Sequence, residues 1–161
     1  MLPETTLAEA EALLAACRSK RVLLATAESC TGGLIAAALT AIAGSSDVVD
    51  RSFVTYSNAA KNEMTGVPMA LIEAHGAVSD EVSQAMAEGA LSRSRASIAV
   101  SVTGVAGPGG GSAAKPVGLV CFGLAQAGKT ARTESRIFPG DRTAIRAAAV
   151  LHAFAMIRAA L

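Results

Sequence analysis

Two side chains in the segment from Val22 to Gly33, VLLATAESCTGG, are nucleophiles in kind: the Ser29 hydroxyl and the Cys30 thiol. The segment opens on an apolar run, Val22 to Ala25, of the length of a buried strand. An apolar pattern of helical length follows from Leu34 to Ile42. A hydroxyl- and glycine-rich turn between strand and helix sets its side chains beside the unpaired N–H groups of a helix start. Ser29 is therefore either the nucleophile of an acyl transfer, with helix-start N–H groups holding the oxyanion, or an ordinary helix cap. Cys30 is either a second nucleophile, its thiol pKa lowered by the helix start, or a small buried residue.

A serine needs a proton acceptor. His75 precedes Gly76 in a turn, His152 lies inside an Ala-rich helix, and neither forms a Ser/His/Asp spacing or accompanies a GxSxG elbow. Lys61, in YSNAAK from Tyr56, is a base if burial lowers its pKa and a plain exposed helix lysine otherwise. A second segment, TGVAGPGGG from Thr103 to Gly111, follows an apolar strand and contains Gly104, Gly107, Gly109, Gly110 and Gly111. Glycines let the backbone approach closely, so its N–H groups can surround a phosphate or carboxylate; the alternative is a flexible surface loop. Arg142 offers a charged donor near the last helix. The stretch from Gly123 to Thr130 matches the formal P-loop pattern. However, Arg132, Glu134 and Arg136 alternate with Thr133, Ser135 and Ile137 just beyond it, which predicts a hairpin around Gly128-Lys129 instead of a phosphate loop. Two distant histidines and three scattered cysteines have no metal-ligand spacing. Glu28, Asp80 and Asp141 could touch an ion, but no metal or cofactor is implied.

The elements that position these residues can be read in order. Thr6, with Glu9 three residues on, predicts a capped first helix carrying Leu7, Ala10, Leu14 and Cys17 on one face. Val48 to Tyr56 reads as a strand, and Ser57-Asn58 starts a short helix holding Lys61. Ser79 caps a helix through about Arg93, Ile98 to Val102 is a strand, and Val117–Ala125 with Thr130–Phe138 form the hairpin. Asp141 starts a final helix with Ala147, Val150, Phe154, Ile157 and Leu161 on one face. Strands alternating with helices predict a single domain, residues 1–161, folded as an α/β three-layer α/β/α sandwich. Its sheet would be mixed and mostly parallel, with a C-terminal antiparallel hairpin. With aromatics at 3% and hydrophobics at 52%, the core must be Ala, Val, Leu and Ile, with closely packed helices.

A formal charge of +1 and five aromatic rings give no basis for a nucleic-acid surface. Cys17, Cys30 and Cys121 imply no disulfide framework and a reducing compartment, hence a cytoplasmic location. The N-terminus, with Glu4, Glu9 and Glu11, reads as a helix start and not as a leader. The charge-free windows Ser29–Ser46 and Ser97–Ala114 are broken by Gly, Ser and Thr, so no membrane span is expected.

At AESCTGG (27–33), FVTYSNAAK (53–61), SVTGVAGPGGGSAAKPVG (101–118) and FPGDR (138–142), the chain resembles the C-terminal domain family of the competence-damage-inducible protein CinA. That family includes stand-alone nicotinamide mononucleotide deamidases. The resemblance implies hydrolysis of nicotinamide mononucleotide to nicotinic acid mononucleotide and ammonia, without metal or cofactor, in a homodimer or larger homo-oligomer. By position it implies Ser29 as nucleophile, Lys61 as its base, and Thr103 as a hydroxyl assisting proton transfer or orientation. Tyr56 would shape the nicotinamide pocket, and Cys30, Thr31, Gly32, Gly33, Gly104, Gly107, Gly109 and Gly110 would hold the nucleotide, with Arg142 on its phosphate. A silent nucleotide-binding module, or a hydrolase of another small amide or pyrophosphate-containing nucleotide, uses the same cleft.

Overall fold

In the strand Ile98–Gly104, alternate side chains go to two separate cores: Ile98, Val100 and Val102 to one, Ala99 to the other. The computed structural model describes residues 2–161. Its helices are α1 (Glu4–Lys20), α2 (Leu34–Thr40), α3 (Asn58–Thr65), α4 (Met69–His75), α5 (Asp80–Ser92) and α6 (Arg142–Ala160). Its strands are β1 (Leu24–Glu28), β2 (Val49–Val54), β3 (Ile98–Gly104), β4 (Leu119–Gln126) and β5 (Arg132–Ile137), in the sheet order β2-β1-β3-β4-β5. β1 is parallel to both β2 and β3, whereas β4 runs against β3 and β5. Four strands thus share one direction, and the α/β three-layer sandwich with its mixed sheet is as expected.

The larger core lies under α1, α2 and α6, where Leu13, Leu14, Ile35, Leu39, Ile145, Phe154 and Ile157 meet Leu24, Val100 and Phe122. The smaller one lies under α3, α4 and α5, where Val67, Ile72, Val82 and Met86 meet Ala25, Ala27 and Ala99. The strand residues on this second face are small, so α5 seats close to the sheet. A Cβ at Gly123 would overlap the Ser83 carbonyl, and one at Gly89 would overlap the carbonyl of Thr65 in α3. Close packing of α3 on α5 fixes the helix that carries Lys61.

Local capping chemistry sets three helix starts: Ser57 accepts from Ala60 N–H at 3.0 Å, Ser79 from Val82 N–H at 3.3 Å, and Asp141 from Ala144 N–H at 2.9 Å. The first helix departs from expectation. It begins at Glu4 behind Pro3 with no side-chain cap, and Thr6 lies within it, 3% exposed. Thr6 shares the spacing of Ala10, Leu13 and Leu14, so its side chain turns to the core instead of the helix end. The hairpin forms as expected, with Gly128 at φ 75° and Gly123 inside β4, so the P-loop match has no strand–loop–helix context. α6 is long and apolar enough to cross a membrane by composition. Its Ile145, Val150, Phe154 and Ile157 are instead packed in the larger core.

Candidate active site

β1 and β3 end side by side. Glu28 pairs with Val102, and the Ser29 N–H continues the ladder to the Val102 carbonyl at 2.9 Å, which sets Ser29 level with Thr103. On the other flank, the Thr55 N–H donates to the Glu28 carbonyl at 2.8 Å, just past the end of β2. Ser57 then caps α3, whose first turn carries Lys61 back over the strand ends. Lys61 Nζ donates to Ser29 Oγ at 3.0 Å and to the Thr55 carbonyl at 3.1 Å. Its side chain is 1% exposed and has no carboxylate partner among the described residues. Burial holds its pKa below the ordinary lysine value, because the ammonium has lost water and gained no counter-charge. Of the two readings open for Lys61, the structure selects the buried amine.

The helix-start N–H groups expected to hold an oxyanion are already occupied. Glu28, at the end of β1 and fully buried, accepts from Gly33 N–H (3.1 Å) and Ile35 N–H (3.0 Å) through Oε2. Its Oε1 accepts from Ala36 N–H (2.9 Å) and the Thr26 hydroxyl (3.2 Å). Ser29 is therefore not the cap of α2, which begins five residues later behind Gly33. The N–H groups of Cys30 and Thr31, within the turn itself, donate to no acceptor among the described residues. From α6, Arg146 holds the other side of that turn, donating from Nε to the Cys30 carbonyl (3.0 Å) and from Nη2 to the Thr31 carbonyl (2.9 Å). The Thr31 N–H lies on the peptide whose Cys30 carbonyl Arg146 holds, and the Cys30 N–H on the peptide whose Ser29 carbonyl accepts from the Gly32 N–H at 3.0 Å, so each donor is trans to an anchored carbonyl.

Glu28 is thus a buried anion whose stability depends on the turn, and the turn depends on it. Glu28→Ala is expected to lower unfolding stability by about 3 kcal/mol, since it strands three backbone donors that had charge-assisted bonds. Glu28→Gln, which keeps one carbonyl acceptor, is expected to recover part of that loss. Urea unfolding of the three proteins checks the order.

Ser29, Cys30, Tyr56, Lys61, Thr103 and Arg142 line one cavity of about 200 Å³, with Asn58, Ala77, Val78, Gly104 and Ala106 completing its wall. Thr103, 1% exposed, donates its hydroxyl hydrogen to the Ala77 carbonyl at 2.8 Å. Arg142 bridges the rim, from Nη1 to the Gly107 carbonyl (2.9 Å) and from Nη2 to the exposed Tyr56 hydroxyl (3.1 Å), with no acidic partner among the described residues. It also lines a neighbouring cavity of about 320 Å³ with Ala106, Gly140 and Thr143. The Cys30 thiol is pushed up to about 12 by burial, which keeps it protonated; it packs as a core residue. That is the bland alternative for Cys30.

Other expected site residues stand further off. Thr31 is buried but does not line the cavity, and Gly32 and Gly33 serve the turn, with φ of 59° and 95°. Gly109 and Gly110 are exposed and outside the cavity, whereas Gly107 reaches it through Arg142. His75 and His152 pair with Glu81 (3.3 Å) and Glu134 (3.1 Å), away from Ser29. Asp80 accepts from Ser135, so it and Glu28 and Asp141 are each engaged separately. A larger groove of about 460 Å³ between α1 and α6 is lined by Leu151, Ala155, Ala159 and the Arg158–Glu9 ion pair (2.8 Å), with no nucleophile among the described residues that line it. Sequence reasoning missed Arg146 altogether and missed the capping role of Glu28.

The family model for the CinA C-terminal domain matches residues 6–161. A CinA-like protein of Mycolicibacterium vanbaalenii is 54% identical over 138 residues, 86% of this chain and 33% of that protein. The chain thus spans about a third of the length of such relatives. A shorter relative from Enterobacter agglomerans, named nicotinamide-nucleotide amidohydrolase PncC, is 54% identical over 132 residues, 82% of this chain and 80% of its own. Among solved structures, the competence/damage inducible protein CihA from Agrobacterium tumefaciens superposes with a TM-score of 0.95 at 48% identity, covering 99% of this chain and 97% of that one.

Proposed function

The chain belongs to the CinA C-terminal domain family, and on that premise we propose that it hydrolyses the carboxamide of nicotinamide mononucleotide to nicotinic acid mononucleotide and ammonia. The observation that carries this reading is the 3.0 Å contact between Ser29 Oγ and the buried, unpaired amine of Lys61. Neutral Lys61 takes the Ser29 proton as Oγ attacks the amide carbon. The N–H of Cys30, in the cavity wall, meets the oxyanion, and the proton on Lys61 passes to the leaving nitrogen. Water then cleaves the ester at Ser29 and releases the acid. The balance is amide plus water to acid plus ammonia.

Charge supports the substrate class. Lys61 and Arg142 face the cavity without a carboxylate in contact among the described residues, while Glu28 is turned to α2, where backbone N–H groups and the Thr26 hydroxyl donate to it. A phosphate is thereby favoured near Arg142, whose neighbouring cavity gives a ribose phosphate room. The pyridinium ring of the substrate is cationic, which further disfavours a charged Lys61 and activates the amide. The shorter relative bears an amidohydrolase name, in agreement with this assignment.

The test is incubation of purified protein with nicotinamide mononucleotide, with ammonia and the acid product followed together by mass spectrometry. Equal appearance of both is expected. Nucleotide binding with neither product would replace the amidase with a binding module.

A further inference from the structure

We infer that Thr103 reads the amide nitrogen of the substrate: held as a hydrogen-bond acceptor by the Ala77 carbonyl, it takes an N–H of the leaving amide and so selects carboxamides over esters and acids. The inference rests on the amidase reading above.

Position comes from the sheet. Glu28 pairs with Val102 and the Ser29 N–H bonds to the Val102 carbonyl, so Thr103 is the residue beside Ser29 on the adjacent parallel strand. Neighbouring strands lie about 4.8 Å apart. Side chains alternate along each strand. Ala25 and Ala27 of β1, and Ala99 of β3, face the α3–α5 layer, which puts Ser29 and Thr103 on that same face. Both line the cavity.

Direction comes from the hydroxyl. A threonine hydroxyl has one hydrogen and two lone pairs. The hydrogen is spent on the Ala77 carbonyl at 2.8 Å, in the segment that leads into α5. No side-chain or backbone donor among the described residues reaches the oxygen, and the residue is 1% exposed. Its lone pairs are left to the cavity. With its hydrogen committed, Thr103 is not set up to relay a proton; it is set up to receive a bond.

The substrate supplies the matching group. When the carbonyl oxygen of a carboxamide faces the Cys30 N–H, its NH2 lies on the other side of the carbon attacked by Ser29. That NH2 offers only hydrogens in the planar amide. An ester oxygen or a product carboxylate in the same place would oppose lone pairs to lone pairs. Thr103 thus favours the amide on entry and opposes the acid once it has formed. A site built around a polar contact rejects analogues that lack it much more strongly than an apolar site can.

The test compares nicotinamide mononucleotide with the methyl ester of nicotinic acid mononucleotide, in wild type, Thr103→Val and Thr103→Ser. The ratio of kcat/KM for amide over ester is expected to fall about tenfold or more in Thr103→Val, the loss of one well-placed hydrogen bond. Thr103→Ser, which keeps the acceptor, is expected to hold the ratio near wild type. Parallel losses on both substrates would overturn the inference, because a merely structural role lowers both alike. If Thr103→Val does not fold, equilibrium binding to Ser29→Ala decides: tighter binding of the amide than of the ester supports the inference, and equal binding overturns it. Wild-type protein inert toward both would remove the amidase reading and this inference with it, whereas active wild type with an unmoved ratio removes this inference alone.

Discussion

Ser29→Ala is expected to reduce turnover of nicotinamide mononucleotide by about 10⁴- to 10⁶-fold, the scale seen when a hydrolase loses its nucleophile. The loss should fall on kcat, with substrate affinity nearly kept, because Ser29 is one small group in a wall shared with Tyr56, Thr103 and Arg142. The fold should survive. Ser29 accepts a bond from Lys61 and its own N–H stays in the sheet ladder, so removing Oγ leaves the backbone bonds of the turn in place. Rapid quenching of wild type during turnover should show the nicotinoyl mononucleotide ester on the peptide containing Ser29. Cys30→Ala should still form that ester, because its thiol, pushed up to about 12, stays protonated at neutral pH. An ester on Cys30, or an unchanged rate in Ser29→Ala, would overturn the mechanism.

Where local chemistry decides the structure, the sequence was readable. Ser57, Ser79 and Asp141 cap the helices that follow them, and the alternation of Arg132, Glu134 and Arg136 identifies β5 against the P-loop alternative. The position of Lys61 one turn beyond a capped helix start was legible too, but its burial was not, since that depends on α3 packing over the ends of β1 and β2. Glu28 misled for a related reason. The apolar run ends at Ala25, yet β1 continues to Glu28, fully buried, because a carboxylate that receives four donors has exchanged water for equivalent bonds. Burial of such a residue depends on where the turn after it returns. Arg146 is the extreme case: it holds carbonyls 116 and 115 residues away, and nothing in the spacing of α6 distinguishes it from a surface arginine. Thr6 shows the converse, a good local cap signal overridden by the face that α1 must bury.

The second large effect is expected at Lys61. Lys61→Met should lower kcat/KM by about 10²- to 10⁴-fold, the usual contribution of a positioned general base. Wild-type activity should rise with pH as the native ammonium gives up its proton, and that limb should be absent from the variant. The substitution should move stability the opposite way, raising it while it lowers activity. Burial lowers the native pKa of Lys61 relative to its value near 10.4 in the unfolded chain. Below the native pKa both states bind the proton, and the folded protein carries the full cost of an ammonium buried without a counter-charge. Between the native and unfolded values the unfolded chain holds more protons, so wild-type stability increases with pH. Methionine fills similar space with no charge to desolvate, so the stability of Lys61→Met relative to wild type should be greatest at low pH and decline steadily toward pH 10. Urea unfolding at several pH values, beside kcat/KM measured at the same values, tests both halves. If the stability difference does not change with pH, Lys61 is charged to the same extent in both states and cannot be the base. If instead it narrows over the window in which activity rises, one titration governs both, and the buried amine that weakens the fold is the one that activates Ser29.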